Sequence, residues 1–181
     1  RVLRTWPVRE AAGIMYLWHD KAGREPWFEP ADVFDVFDDD LTEQDFTLRP
    51  PGGPTAHRRL PLHPQRSMED RVDRAHFAGT HAARVPHFVG AEFEADRFRS
   101  DFVISFDPDS GEPMSGVQSI NLGLGVSYVR SWGRADQRDV LAVTPIDDAI
   151  SDVFHTTWIS NRAKDDSERR EFTPDGFAVA T

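Results

Sequence analysis

The chain has 181 residues, of which 39% are hydrophobic and 29% charged, a balance typical of a soluble domain with its own core. The net charge is −10 and the basic residues form no stripe, which argues against a nucleic-acid-binding surface. No cysteine is present, which excludes disulfides, a cysteine nucleophile and a thiolate-bound cluster. No apolar run approaches the roughly 20 residues that span a bilayer, and we expect a cytoplasmic protein.

The first third of the sequence reads as strands and loops. Residues 2–10 and 13–19 are predicted strands joined by a tight turn, because apolar and aromatic residues flank a glycine. The acidic run at 38–40 lacks the ordered oxygens of a calcium loop and is expected to be solvated. Thr42 and Asp45 are spaced to cap a short helix.

A helix is predicted over residues 67–84, with Ser67 as its N-cap and Pro86 beyond its end. The following segments are strand-like, with a long run at 117–132 that two glycines interrupt; we expect these glycines to bend a strand. Residues 140–145 and 150–160 are a predicted hairpin, and residues 161–171 are a candidate surface helix.

The most informative residues lie in the predicted helix: His76 and His81, with Asp73 three positions before the first histidine. Two neutral imidazoles and one carboxylate suit a non-haem Fe(II) that activates dioxygen. On a regular helix His76 and His81 would lie about 140° apart. A shared metal therefore requires a bulge, a kink or a helix end between them, and Gly79 lies in that interval. His87 is a rival ligand with weaker support.

This stretch resembles the Glu-Asn-x-x-Asp-x-x-His-x-x-x-x-His signature of the catalytic domain of Rieske non-haem iron oxygenases. Glu69, Asp73, His76 and His81 match it, whereas Asp70 stands where the family usually has Asn. The resemblance implies that His76 and His81 bind a mononuclear Fe(II), with Glu69 and Asp70 as supporting residues. It also implies that Asp73 links the iron-bound histidine to the [2Fe–2S] cluster of a neighbouring subunit. The family's third ligand is a C-terminal Asp, for which no segment of this chain is a match.

The N-terminal segment resembles the end of the Rieske domain in 3-ketosteroid 9α-hydroxylases and related sterol oxygenases. The match runs through Trp18-His19-Asp20 and continues at Gly23, Pro26, Trp27 and Pro30. This match implies that His19 has a structural role and is not a metal ligand. It also divides the chain into residues 1–30, the tail of the Rieske domain with a connecting hairpin, and residues 31–181, a catalytic domain incomplete at its C-terminal end. Because a Rieske cluster needs cysteines, we expect it in a preceding part of a longer protein.

The resemblance implies an α+β fold of the helix-grip type, in which a curved antiparallel sheet and its packing helices enclose a cavity. It implies the terminal component of an oxygenase that uses O₂ to hydroxylate a lipophilic ring compound, steroid-like first and aromatic second. A ferredoxin or flavin reductase would supply electrons, and the full-length protein would be a homotrimer. The isolated chain is expected to be inactive.

Two other functions remain open from the sequence. The first is a non-catalytic module of the same fold that binds hydrophobic ligands, in which the histidine pair has no role. The second, with less support, is a metal-dependent hydrolase, which would act without O₂ or a reductant.

Overall fold

The computed structural model describes residues 5–49, 55–81, 83–94, 96–105, 115–132 and 136–161. The candidate helix at 161–171 falls outside these ranges except for its first residue. The helices are α1 (Pro64–Glu69), α2 (Arg74–Thr80) and a 3₁₀ helix (Glu43–Asp45). The strands are β1 (Val8–Ala11), β2 (Ile14–Leu17), β3 (Phe46–Leu48), β4 (Thr55–Leu60), β5 (Arg84–Phe93), β6 (Arg97–Ser105), β7 (Ser115–Leu122), β8 (Val126–Trp132), β9 (Gln137–Pro145) and β10 (Ser151–Ser160).

An eight-stranded antiparallel sheet dominates the described part of the chain. Its order is β3-β10-β9-β8-β7-β6-β5, and β4 also pairs with β10. Strands β5 to β10 follow one another in the sheet as they do in the chain, which is a meander built from local hairpins. The predicted α+β class is confirmed: α1 and α2 lie between β4 and β5 in the chain, and the rest of the sheet is continuous.

The predicted hairpin at the N-terminus is present as β1 and β2, shorter than expected. Ala12 and Gly13 form its two-residue turn with φ of 49° and 74°, the left-handed values that a tight hairpin turn requires. Ala12 and Ile14 are buried in the main core, so the hairpin packs on the sheet. The predicted cap is also confirmed, since the Thr42 N–H donates to Asp45 Oδ2 at 2.9 Å.

The two faces of the sheet differ in character because side chains alternate along each strand. One face carries the apolar core and is covered by the N-terminal segment. Its buried residues are Ala12, Ile14, Val33, Phe37, Ile120, Leu122, Val126, Tyr128, Val140 and Ala142. The opposite face, which we call the helix face, packs against α2 and the α1–α2 connection. It carries a buried chain of hydrogen-bonded polar side chains: Ser100, Ser119, Asn121 and Ser127.

The single helix predicted over residues 67–84 is wrong. Helix α1 begins at Pro64, where His63 Nδ1 accepts the Gln65 N–H at 3.2 Å. The helix ends at Glu69, and Asp73 is extended (φ −83°, ψ 98°) and caps α2. The physical reason is that the Asp73 carboxylate accepts the Ala75 N–H at 2.8 Å, which starts a new helix in place of continuing the first one.

Two other expectations need correction. The run at 117–132 is not one bent strand but the β7–β8 hairpin, because Gly123 adopts a φ of 55° and reverses the chain. The acidic run is not wholly solvated: Asp39 Oδ2 accepts from Arg130 Nη1 at 2.6 Å and from Arg138 Nη2. The Arg138 side chain is only 3% exposed, so Asp39 neutralises a buried cation.

Candidate metal centre

The end of α2 brings His76 and His81 together. His76 lies within the helix, whereas His81 is its C-cap and no longer has helical backbone angles (φ −104°, ψ 3°). The two Nε2 atoms are 3.2 Å apart. A helix end between the histidines was among the arrangements that a shared metal would require. Their role as ligands remains a prediction.

The separation of the two nitrogens fits a shared metal ion. Imidazole nitrogens bind metals at about 2.1 Å, so two nitrogens in adjacent coordination positions lie about 3 Å apart. His76 and His81 already have this spacing. They offer two nitrogen donors of the kind that iron, zinc, copper and nickel accept, so the pair is compatible with the expected Fe(II) but does not select it.

The other ring nitrogen of His76 has two polar neighbours. Thr80 Oγ1 is 3.4 Å from Nδ1, and Asp70 Oδ1 is 3.6 Å from it. A carboxylate beside the non-coordinating nitrogen orients a ligating histidine and raises its basicity. Asp70 is therefore the carboxylate that the geometry places behind His76, whereas Asp73 Oδ1 is occupied by the Ala75 N–H.

The charge state of His81 favours metal binding. Burial lowers the pKa of His81, the charges of His76 and Arg71 lower it further, and Asp70 partly opposes them. The neutral imidazole is therefore favoured near pH 7, and this is the form that binds a metal.

Helix α2 is fixed to the sheet through Phe77. The Phe77 ring packs against Phe102 of β6 with centroids 4.7 Å apart, and it also lies 5.8 Å from the His81 ring. The α1–α2 connection is fixed through Ser100, whose Oγ donates to the Arg71 carbonyl at 3.2 Å. The histidine pair is therefore held against the helix face of the sheet.

The remaining sequence candidates lie apart from the pair. Glu69 Oε1 accepts from Gln65 Nε2 at 2.7 Å within α1. The His19 ring packs against the Trp6 ring at a tilt of 45°, with ring centroids 4.5 Å apart, in keeping with a structural role. The His87 side chain lies outside the described atoms. Within the described ranges, no three or more His, Cys, Asp or Glu side chains form a metal-binding group, so a third ligand is not identified.

A polar cluster on the same face of the sheet as the histidine pair was not predicted from the sequence. Asp139 of β9 is 5% exposed, and its Oδ1 accepts from Thr157 Oγ1 at 2.7 Å and lies 3.0 Å from His155 Nε2. Its Oδ2 accepts from Gln137 Nε2 at 2.6 Å. The sequence signal is limited to the polar runs 137–139 in β9 and 155–157 in β10, which cannot reveal their pairing.

A cavity of about 810 Å³ lies on the opposite face of the sheet. Its walls come from the β1–β2 hairpin and the segment after it, together with β4, β8, β9 and β10, and include Tyr16, Trp18, Phe28 and Phe154. No residue of α1 or α2 lines it, so it is separate from the histidine pair. No helix in the described part of the chain is long and apolar enough to cross a membrane.

Comparison with known proteins identifies the domain. The protein-family model that describes the 3-ketosteroid 9alpha-hydroxylase C-terminal domain matches residues 17–179 of this chain. A crystal structure of dicamba monooxygenase bound to dicamba superposes with a TM-score of 0.63 at 12% identity, covering 98% of this chain and 59% of that one. The chain thus spans little more than half of that protein. The Mll3558 protein from Rhizobium loti gives a TM-score of 0.39 at 15% identity over 70% of this chain and 93% of its own. Among curated proteins, none matches.

Proposed function

Because the chain belongs to the 3-ketosteroid 9alpha-hydroxylase C-terminal domain family of Rieske oxygenase catalytic domains, we propose that it carries the mononuclear Fe(II) site of a terminal oxygenase. The observation that carries this proposal is the 3.2 Å separation of the His76 and His81 Nε2 atoms at the end of α2. When bound there, iron would supply O₂ activation for hydroxylation of a hydrophobic ring compound.

The chain's own residues have distinct roles in this proposal. His76 and His81 hold the metal through their Nε2 atoms, and Asp70 orients His76 from the side of Nδ1. Asp73 is exposed at the start of α2, as contact with a neighbouring subunit would require. In this proposal Asp73 links the iron-bound histidine to the Rieske cluster of that subunit. The third ligand is an Asp outside the described residues.

The wider assembly is also part of the proposal. Residues 1–30 would be the tail of the Rieske domain with the connecting hairpin, and residues 31–181 the catalytic domain. The sheet with α1 and α2 would form a helix-grip fold completed by C-terminal helices. The [2Fe–2S] cluster would lie in a preceding domain, a ferredoxin or flavin reductase would supply electrons, and the full-length protein would be a cytoplasmic homotrimer.

A steroid-like substrate is our first choice and an aromatic compound our second. The support is the family's description, which names a ketosteroid hydroxylase.

The test is product formation from androstenedione by the full-length oxygenase that contains this domain, supplied with reductant and O₂. His76→Ala should abolish hydroxylation while the cluster's electron paramagnetic resonance signal persists. His57→Ala is the matched control, since His57 is exposed on β4. Undiminished hydroxylation by His76→Ala would overturn the proposal.

The binding-module alternative draws support from the cavity of about 810 Å³ at the hairpin, which is lined largely by apolar and aromatic residues. A ligand in that cavity would not meet the histidine pair. The module predicts lipophile binding that is indifferent to both metal and His76→Ala, and no product with any electron donor. The oxygenase proposal predicts a hydroxylated product that forms only when O₂ is present.

A further inference from the structure

Phe77 is the apolar side chain of α2 that is withdrawn from solvent. All residues of α2 are described, and the exposed ones are Arg74, Ala75, Ala78, Gly79 and Thr80. His76 and Phe77 are half-buried. The Phe77 ring packs edge-to-face against Phe102 of β6, which is itself only 3% exposed. A helix this short is marginal on its own, so the position of α2 depends on tertiary contacts such as this one.

The same ring also lies against both histidines. Its centroid is 5.9 Å from that of His76, with the two planes nearly perpendicular, and 5.8 Å from that of His81. Rings at these separations attract one another, and packing of this kind limits their rotation. Phe77 therefore connects a buried ring of the sheet with the two rings whose Nε2 atoms lie 3.2 Å apart.

The main chain of Phe77 fixes the end of α2. Its carbonyl oxygen accepts the His81 N–H at 3.2 Å and the Ala83 N–H at 3.0 Å. Ala83 is fully buried, so the chain is anchored after His81 as well as before it. A carbonyl shared in this way satisfies donors at a helix end and sets the direction in which the chain leaves the helix. The placement of His81 thus depends on Phe77 through both its ring and its carbonyl group.

We propose that Phe77 is a positioning residue of the metal centre. Its packing against Phe102 fixes the histidine pair relative to β6 and holds the two Nε2 atoms at the spacing of adjacent ligand positions before a metal binds. Ligands held in place lose less freedom on binding, so loosening them lowers the affinity without removing a ligand. The inference rests on the proposed function, because it concerns the same metal, and it deepens that function by naming the packing on which the affinity depends.

The test measures Co(II) affinity by equilibrium dialysis of the full-length oxygenase that contains this domain, after its mononuclear metal has been removed by chelation. Phe77→Ala should weaken Co(II) binding about tenfold or more, as when another group that orients a ligand is removed. Phe93→Ala is the matched control, because Phe93 is 78% exposed on β5 and its ring stacks on Phe98. The control should change the affinity by less than about twofold, as expected for a surface substitution.

A second variant separates positioning from the stability of α2 itself. Phe102→Leu leaves the sequence of α2 intact but removes the ring against which Phe77 packs. It should also weaken Co(II) binding. The double variant Phe77→Ala/Phe102→Leu should bind within about twofold of Phe77→Ala alone, because a contact between two residues can be lost only once. Losses that multiply in the double variant would mean that the two rings act separately and would contradict the inference.

Far-ultraviolet circular dichroism of the same samples shows whether each variant is folded. Unchanged Co(II) affinity in a folded Phe77→Ala protein would overturn the inference. If Phe77→Ala does not fold, Phe77→Leu takes its place, since leucine keeps an apolar side chain but lacks the ring that meets Phe102 and His81. Its affinity should fall about threefold or more, as expected for the loss of an aromatic pair. Unchanged affinity in Phe77→Leu would be equally decisive against the inference.

Failure of the inference is separable from failure of the proposed function. If His76→Ala loses Co(II) and Phe77→Ala retains it at full affinity, the metal centre is supported and only the role of Phe77 is removed. If His76→Ala retains Co(II) at full affinity, the histidine pair is not a metal centre. The proposed function then fails, and the inference that rests on it fails as well.

Discussion

His76 and His81 are separated by five positions in the chain, yet their Nε2 atoms lie 3.2 Å apart because α2 ends between them. A regular helix would have placed them on different sides. The pair therefore depends on the length of α2, which begins at Arg74 with Asp73 as its N-cap and ends at Thr80 with His81 as its C-cap. Substitutions that shift either end of α2 should separate the two rings.

Asp70→Ala should weaken metal binding by about tenfold or more. The carboxylate lies 3.6 Å from His76 Nδ1, and replacing such a second-sphere partner costs about 10- to 100-fold in affinity. Co(II) titration followed by visible absorption measures the change. Asp73→Asn is the control, because asparagine keeps the cap of α2 and should keep the affinity. An equal loss in Asp73→Asn would contradict the assignment of Asp70.

Asp73 should show two separable effects. Asp73→Ala removes the bond to the Ala75 N–H and should cost about 1 kcal/mol in the free energy of unfolding, measured by urea denaturation. Asp73→Asn should restore that stability. In the full-length oxygenase Asp73→Asn should nevertheless slow electron transfer from the cluster to the iron in single turnover. Transfer at the original rate would leave Asp73 with a capping role only.

Asp39→Ala should be among the most destabilising single changes in the described part of the chain. It leaves Arg138, whose side chain is 3% exposed, as a buried cation without its carboxylate, at a cost of about 3–5 kcal/mol. Burial already lowers the pKa of Arg138, and Asp39 is the first of the groups that oppose this effect. Thermal and urea unfolding should show the loss. Asp40→Ala, an exposed neighbour, should change stability by less than about 0.5 kcal/mol.

Alkaline pH should destabilise the fold through Tyr128. Burial raises the pKa of Tyr128 from 10.0 to about 12, and burial also raises the pKa of Tyr16. Below pH 10 both states keep these protons and stability is unaffected. Between pH 10 and about 12 only the unfolded chain loses the Tyr128 proton. The free energy of unfolding of the protein therefore falls by up to about 1.4 kcal/mol per pH unit.

The tyrosine prediction has a direct optical readout. The chain contains two tyrosines, and absorbance of tyrosinate should remain absent while the protein is folded and rise only with unfolding. Tyr128→Phe loses the hydrogen bond to the Ala31 carbonyl and should flatten the alkaline fall in stability. Ordinary titration of both tyrosines near pH 10 in the folded protein would contradict the buried placement of their hydroxyls.

The sequence predicts what local chemistry determines. The turn at Ala12–Gly13 and the cap by Thr42 and Asp45 follow from residues within a few positions of each other, and both are present. A metal shared by His76 and His81 required a bulge, a kink or a helix end between them, and of these the structure has a helix end.

What the sequence could not predict depends on distant or competing contacts. The break at Asp73 arises because a side chain competes with the helix for a backbone N–H, and an apolar pattern does not record this competition. Asp39 finds Arg130 and Arg138 some 91 and 99 positions away. The cluster around Asp139 needs the register of β9 with β10, which no single-strand pattern contains.

The most direct measurement is anaerobic Fe(II) titration of the full-length oxygenase that contains this domain, freed of metal by chelation. We predict one mononuclear iron per chain, with affinity reduced at least 100-fold in His76→Ala and in His81→Ala and unchanged in His57→Ala. Iron bound equally well by all four proteins would contradict the assignment of the histidine pair as ligands.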